Sequence, residues 1–374
     1  MKFYICFLLL LLIPLLAQYT KNYVINYESR TEISLLLVSG MIFFVMACRS
    51  MYVGADTKQY LRAFLQLNTV SLHEALSVRI YSWSGKYTYS LEIGYRLYNK
   101  LLGFFNKSEQ IITIANSLFI AVLLYKLIRR NSTFYLLSIW LYITLGFFQT
   151  QMNMTRNAIA ILICLNATKY IEEHKFFRYV LSSLFAASFH LTALIYIPLY
   201  WLANYVRLTK RRITIALILS IFAVLILPIV NPILKIILPS RYLKYLTNVS
   251  NRNEGIYLAV LFLGLFLIIS IFSDRKKKTY DISEYDNTGA WLFILMIISF
   301  SFSYSINAMT RAAALFSPYL IIFFPRMIYF EIADQKKRIF LYFVIFALCF
   351  AQYVFRLSIN NIGGTVPYEF FWEV

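Results

Sequence analysis

Negative charge is scarce in this chain, and so are histidine and cysteine. Its 374 residues include 17 Asp and Glu against 36 Lys and Arg, with three histidines and four cysteines. Charged residues of both signs reach only 14%, against about 25% in soluble domains. A soluble protein so poor in charge could not cover its apolar residues, which make up 60% of the chain. An independent soluble enzyme domain is therefore excluded. Cys6, Cys48, Cys164 and Cys349 all fall inside apolar runs without metal-ligand spacing, so they read as small hydrophobes and no disulfide is expected. A Gly-Lys-Ser/Thr loop, a Gly-x-Ser-x-Gly elbow and a His-Glu-x-x-His helix are all missing, which removes ATP-driven transport and zinc hydrolysis. Nor does an Asp-x-Asp pair occur in the loops expected to face outward. No cofactor and no metal are expected.

What is present is length of apolar sequence. Mean hydropathy is +0.65, and runs such as 213–230 and 257–272 recur throughout, each near the roughly 17–25 residues that cross a bilayer as helix. The pattern predicts an all-α polytopic membrane protein, a single transmembrane domain over 1–374 with about twelve helices. The expected segments are 3–19, 32–48, 110–128, 133–150, 155–172, 176–190, 191–206, 212–230, 256–273, 290–309, 311–330 and 338–356. The net charge of +19 then marks topology and not a nucleic-acid partner. Basic clusters fall on alternate connections, among them Arg129/Arg130, Arg207–Arg212, Arg275–Lys278 and Lys336–Arg338. These should be cytoplasmic, the 274–289 loop included, with both termini, the long 49–109 loop and the 231–255 loop outside a bacterial cytoplasmic membrane.

Two stretches need a break. Residues 176–206 would make a helix of about 46 Å, too long for one crossing, yet both flanks are basic. The chain must go in and return, as two short helices or a re-entrant hairpin, with His190 at the tip. Residues 290–330 must also divide, and Asn307–Arg311 is their polar interruption, placing Arg311 at an outward turn.

Charges beside membrane spans are costly and are functional candidates by default. On this topology Arg49, Asp56, Glu92, Arg156, His190 and Arg311 gather at the outer face. Each has a plainer reading. Arg49 and Arg311 could snorkel to headgroups, Asp56 could cap the helix after it, Glu92 could be a surface charge, and His190 a hydrogen-bonded core residue. Together, arginine forks suit a diphosphate, and an imidazole or carboxylate can take a proton from an attacking hydroxyl.

In order and spacing, Arg49…Gly54-Ala-Asp56-Thr57…Tyr60, Glu92-x-Gly94-Tyr95, Arg156-Asn-Ala-Ile-Ala160 and Phe189-His190-Leu-Thr192-Ala193-Leu194 resemble the EpsG family. These are Wzy-type polymerases of bacterial exopolysaccharide, capsule and O-antigen. The likeness continues through Arg241, Arg311 and Val366-Pro367-Tyr368, while Asn157 stands where such families usually carry Gln. The resemblance implies a GT-C-like membrane glycosyltransferase. It would pass a growing glycan from undecaprenyl diphosphate to the next lipid-linked repeat unit. It assigns Arg49, Arg156 and Arg311 to the diphosphate, and His190 to the general base with Asp56 or Glu92 as alternatives. Tyr60, Tyr95, Arg241 and Tyr245 would contact sugars. Implied partners are the lipid-linked oligosaccharide, membrane lipid, and a chain-length regulator and flippase of the same pathway. A lipid-linked oligosaccharide flippase and a membrane acyltransferase are the alternatives.

Overall fold

The computed structural model describes residues 1–17, 27–81, 91–220, 222, 226, 252–273, 282–303 and 308–373. Among these the regular secondary structure is helical, and an isolated antiparallel bridge joins Arg49 to Phe370. Contacts divide the chain into two compact parts, residues 1–198 with 346–374 and residues 199–345.

In the first part, α1 (Lys2–Ala17) and α2 (Tyr27–Ala47) precede three helices within the 49–109 connection: α3 (Thr57–Thr69), α4 (Leu72–Ser77) and α5 (Ile93–Phe105). Then follow α6 (Gln110–Asn131), α7 (Tyr135–Thr144), α8 (Phe147–Asn153), α9 (Thr155–Ala167), the short α10 (Lys169–Glu172) and α11 (Phe176–Phe189). α2 packs along α6, α6 along α9 and α9 along α11. The α2–α6 pair is antiparallel. Glu32 at the start of α2 meets Arg129 at the end of α6 at 2.6 Å, and Gln110 at the start of α6 donates to the Ala47 carbonyl at 2.7 Å.

The 49–109 connection is folded, not open chain. α3 buries Thr57, Tyr60, Leu61, Phe64 and Leu67, the i, i+3, i+4, i+7 stripe of an amphipathic helix. Ser71 and Glu74 form a capping box at the start of α4, satisfying two orphan N–H groups. Arg96, buried, donates to the carbonyls of Leu91, Ala75 and Val78 at 2.7–2.9 Å. Lys100 donates to the last carbonyls of α3, Leu67 and Val70. These two cations hold the connection closed.

The second part contains α12 (Leu199–Tyr205), a helical stretch at 210–220, α13 (Arg252–Phe272), α14 (Ile282–Phe302), α15 (Ala308–Phe316), α16 (Leu320–Glu331) and the start of α17 (Gln335–Ile359). Glu331, with no side-chain exposure, accepts from Lys210 and from Ser273. Asp286 lies 3.7 Å from Arg326 and accepts from the Gly289 N–H and the Tyr319 hydroxyl. The second half of the 274–289 connection is thus helical and buries an acid.

Among the described residues, four helices are long and apolar enough to cross a membrane: Ser29–Ala47, Gln110–Asn131, Met309–Glu331 and Gln335–Ile359. Five shorter apolar helices accompany them, at Lys2–Ala17, Tyr135–Thr144, Phe176–Phe189, Tyr257–Phe272 and Asp286–Phe302.

Several expected spans are interrupted. The segment at 133–150 is not one helix. It breaks at Leu145-Gly146, where Gly146 has φ +82° and faces Arg356 and Ile362 at 3.1 Å from where a Cβ would stand. The chain breaks again at Met154 before α9. The 176–206 stretch does reverse at His190. Beyond it lie a 3-10 turn at Leu191–Tyr196 and then α12. The Tyr179 hydroxyl donates to the Tyr196 carbonyl at 2.7 Å, which is possible only if the chain doubles back. The 290–330 stretch divides between Phe302 and Ala308. Arg311 lies inside the first turn of α15, exposed.

Candidate functional site

Three of the candidate residues, far apart in sequence, meet in the first part of the chain. Glu92 precedes α5, Arg156 is the second residue of α9, and His190 follows α11. Arg156 Nη1 donates to Glu92 Oε2. Glu92 Oε1 accepts the Leu191 N–H at 3.0 Å and stands 3.5 Å from His190 Nδ1. Thr192 Oγ1 is 3.4 Å from the same nitrogen. Side-chain exposures of 11% for Arg156, 19% for Glu92 and 22% for His190 leave this cluster shielded but reachable.

Local backbone makes the meeting possible. The α11 helix ends at Phe189 and His190 turns extended, at φ −153° and ψ 117°, so the next N–H, that of Leu191, is offered to Glu92. α5 begins at a close approach to α11. A Cβ at Gly94 would stand 2.2 Å from Ser188 Oγ and 2.8 Å from the Ser188 carbonyl oxygen, far inside contact distance. Gly94→Ala should therefore force the two helices apart and cost about 1–3 kcal/mol, read as a lower melting temperature of the purified protein, with activity falling in step. Ser188→Gly in the same background removes the side-chain clash and leaves the backbone one, so it should restore only part.

Behind the cluster is a buried polar layer. The centre of the Tyr95 ring lies 6.0 Å from the Arg156 guanidinium. Its hydroxyl accepts from Asn116 Nδ2 at 3.2 Å, and Asn116 also donates to Thr155 Oγ1, beside Arg156. Burial pushes the Tyr95 phenol up, which keeps it a neutral hydroxyl at neutral pH. Tyr60 packs edge-on at 6.2 Å. Both tyrosines were expected to offer faces to sugars. Both are buried, at 0% and 7% exposure, where Tyr98, Phe189 and each other pack on their rings.

Arg49 is the deepest cation here, at 2% exposure, and does not snorkel. Nη1 donates to the Met46 carbonyl and reaches Ser117 Oγ at 3.5 Å, while its Nε has no hydrogen-bond partner. Burial lowers the guanidinium to about 10, opposed by the neighbouring Tyr368, Tyr4, Tyr60 and Tyr95; it stays charged at neutral pH. The returning C-terminus covers it. The Ser50 N–H donates to the Glu369 carbonyl and the Phe371 N–H to that of Cys48, both at 2.9 Å, and the Tyr368 hydroxyl to that of Val45.

Asp56 lies beside the α8–α9 break. It occupies the N-cap position of α3 without a side-chain capping bond, and its own N–H donates to Asn153 Oδ1 at 2.8 Å. Gly54, at φ +96°, and Ala55 donate to the carbonyls of Gly364 and Gly363. Arg311 belongs to the second part and is exposed there. Arg241 and Tyr245 lie outside the described residues.

Sequence reasoning did not single out Asn116 or the Gly363-Gly364 pair. An asparagine in the middle of an apolar helix was a usable signal; the glycine pair carried none without its partner loop. Among the described residues, no three His, Cys, Asp or Glu side chains come together as a metal site.

No curated protein and no solved structure matches this chain. The EpsG family model matches residues 32–370, a span that starts before Arg49 and ends at the tail covering it. The chain belongs to the EpsG family, a Wzy-type polymerase-like family of integral membrane proteins.

Proposed function

We propose that the protein is a polysaccharide polymerase of a bacterial cytoplasmic membrane. It transfers a growing glycan from undecaprenyl diphosphate to a sugar hydroxyl of the next lipid-linked repeat unit, at the outer face and without a metal. The observation that carries this reading is the junction of Arg156, Glu92 and His190. The acceptor hydroxyl attacks the anomeric carbon, the bond from that carbon to the diphosphate oxygen breaks, and the hydroxyl proton passes to His190 Nε2. Glu92, beside Nδ1, fixes the ring and favours the tautomer with the proton on Nδ1, the arrangement by which a carboxylate orients a catalytic imidazole. Arg156 carries the fork for the departing diphosphate. Arg49 adds positive potential from beneath Tyr95 without touching the ligand. The assignment of Arg311 to the same diphosphate rests on the family resemblance.

Two further features support a lipid-linked substrate. An apolar groove of about 640 Å³ runs between α5 and α11, lined by Ile93, Leu97, Leu101, Phe185 and Phe189. It begins at the residue after Glu92 and at the residue before His190, so an anionic head at Arg156 would have a hydrocarbon path beside it. The pairings of Glu32 with Arg129 and of Arg130 with the Asn166 carbonyl join helix ends that the positive-inside rule puts on one side, as expected of a multi-pass bundle.

A deletion strain tests the reaction class. Long-chain polymer should disappear and lipid-linked single repeat units should accumulate where an added glycosidase in the medium of spheroplasts can reach them. Units trapped inside the cell would identify a flippase instead and end this reading.

A further inference from the structure

A second cavity of the first part lies at the other end of the same helices. It has a volume of about 850 Å³ and is bounded by the last turns of α6 and α9, the start of α2 and α10. Lys126, Arg129, Arg130 and Lys169 line it, with Glu32 as the acid among them. Ser117, next to Arg49, and Arg129 stand on one helix, about 18 Å apart along its axis. The cavity is therefore remote from the Glu92–Arg156–His190 cluster and plays no part in the proposed transfer.

Four cations around one open concavity repel each other, and one carboxylate offsets only part of that. Glu32 and Arg129 are about half exposed, at 48% and 51%, so their ion pair is weak and exchangeable. Hydroxyl and amide groups share the wall. The Tyr135 hydroxyl donates to the Arg129 carbonyl at 3.2 Å, and Arg130 donates to the Asn166 main-chain carbonyl at 3.0 Å. The cavity also stands at the ends of two spans, Ser29–Ala47 and Gln110–Asn131, the level at which lipid phosphates lie. Basic pockets between helices at that level take anionic headgroups.

We infer that this cavity, walled by Lys126, Arg129, Arg130 and Lys169, is a binding site for a phosphate-bearing anion, supplied by the headgroup of an anionic membrane phospholipid. The full-length protein, purified in a mild detergent, is titrated with short-chain phosphatidylglycerol or phosphatidylcholine and read by native mass spectrometry. Phosphatidylglycerol should bind at least about tenfold more tightly, and Lys126→Gln/Arg130→Gln/Lys169→Gln should reduce that preference to about twofold or less. If the triple variant does not accumulate, the exposed Lys126→Glu alone should cut the preference severalfold. Equal binding of the two lipids by the wild type, or an unchanged preference in the variants, overturns the proposal. Glycerol 1-phosphate and inorganic phosphate at millimolar concentration separate the sources. Failure to displace the lipid supports the headgroup, while full displacement with saturable binding of the small anion keeps the phosphate chemistry and overturns the lipid source. The readout does not depend on polymer formation, so it stands apart from the proposed transfer reaction.

Discussion

His190→Gln is expected to lower turnover by at least about 10²-fold, the usual cost of losing a general base, while the protein accumulates normally. The expectation follows from placement. His190 ends α11, its Nδ1 lies 3.5 Å from Glu92 Oε1, and the ring is 22% exposed on its side chain, open enough for an acceptor hydroxyl to reach Nε2. Glutamine keeps hydrogen bonding without useful basicity, so binding of a lipid-linked donor, measured by its retention on the purified protein, should change little. Glu92, just before α5, and Thr192 from the following turn face the ring, with Arg156 bound to the same carboxylate. Asp56→Asn is the control. If that variant is inactive while His190→Gln polymerises normally, the imidazole is packing and the carboxylate carries the chemistry.

The convergence of Glu92, Arg156 and His190 was legible because topology alone constrains it. Basic flanks on both sides of 176–206 force a reversal, the reversal puts His190 at a tip, and Arg156 opens a helix at the same level. The floor beneath them was not legible. Arg49 reads as a helix-end cation that would snorkel, and it is buried because Tyr4, Tyr368 and the bridge to Phe370 close over it. That closure depends on a tail more than three hundred residues away, which no local pattern announces. Tyr60 and Tyr95 show the same limit. An aromatic near a membrane boundary can face lipid, sugar or protein, and only the neighbours decide; here they are Tyr98, Phe189 and the Asn116 amide. Helix breaks divide in the same way. His190 was found from length and charge, whereas Gly146 breaks its helix against Arg356 and Ile362, contacts that exist only after α17 has docked.

Arg156→Ala should abolish long-chain polymer, and Arg156→Lys should lose most of it, since an ammonium keeps charge but not the planar fork that grips two phosphate oxygens. A structural role for the Arg156–Glu92 pair would produce the same first result, so the single variants do not decide. Removing Arg156 strands a carboxylate that is only 19% exposed, and stranding one partner of a buried pair is destabilising. The double variant Arg156→Gln/Glu92→Gln removes both charges and restores amide-to-amide hydrogen bonding at that junction. Its melting temperature should return most of the way toward that of the wild type. Polymer should remain absent, because the diphosphate has lost its fork and His190 its orienting carboxylate. Recovery of both stability and polymer in the double variant would mean that the pair only holds α5 to α9, and that the leaving diphosphate is stabilised elsewhere. Recovery of stability alone means that the pair serves the reaction as well as the packing, since two charges needed only to hold α5 to α9 have no further effect once both are gone.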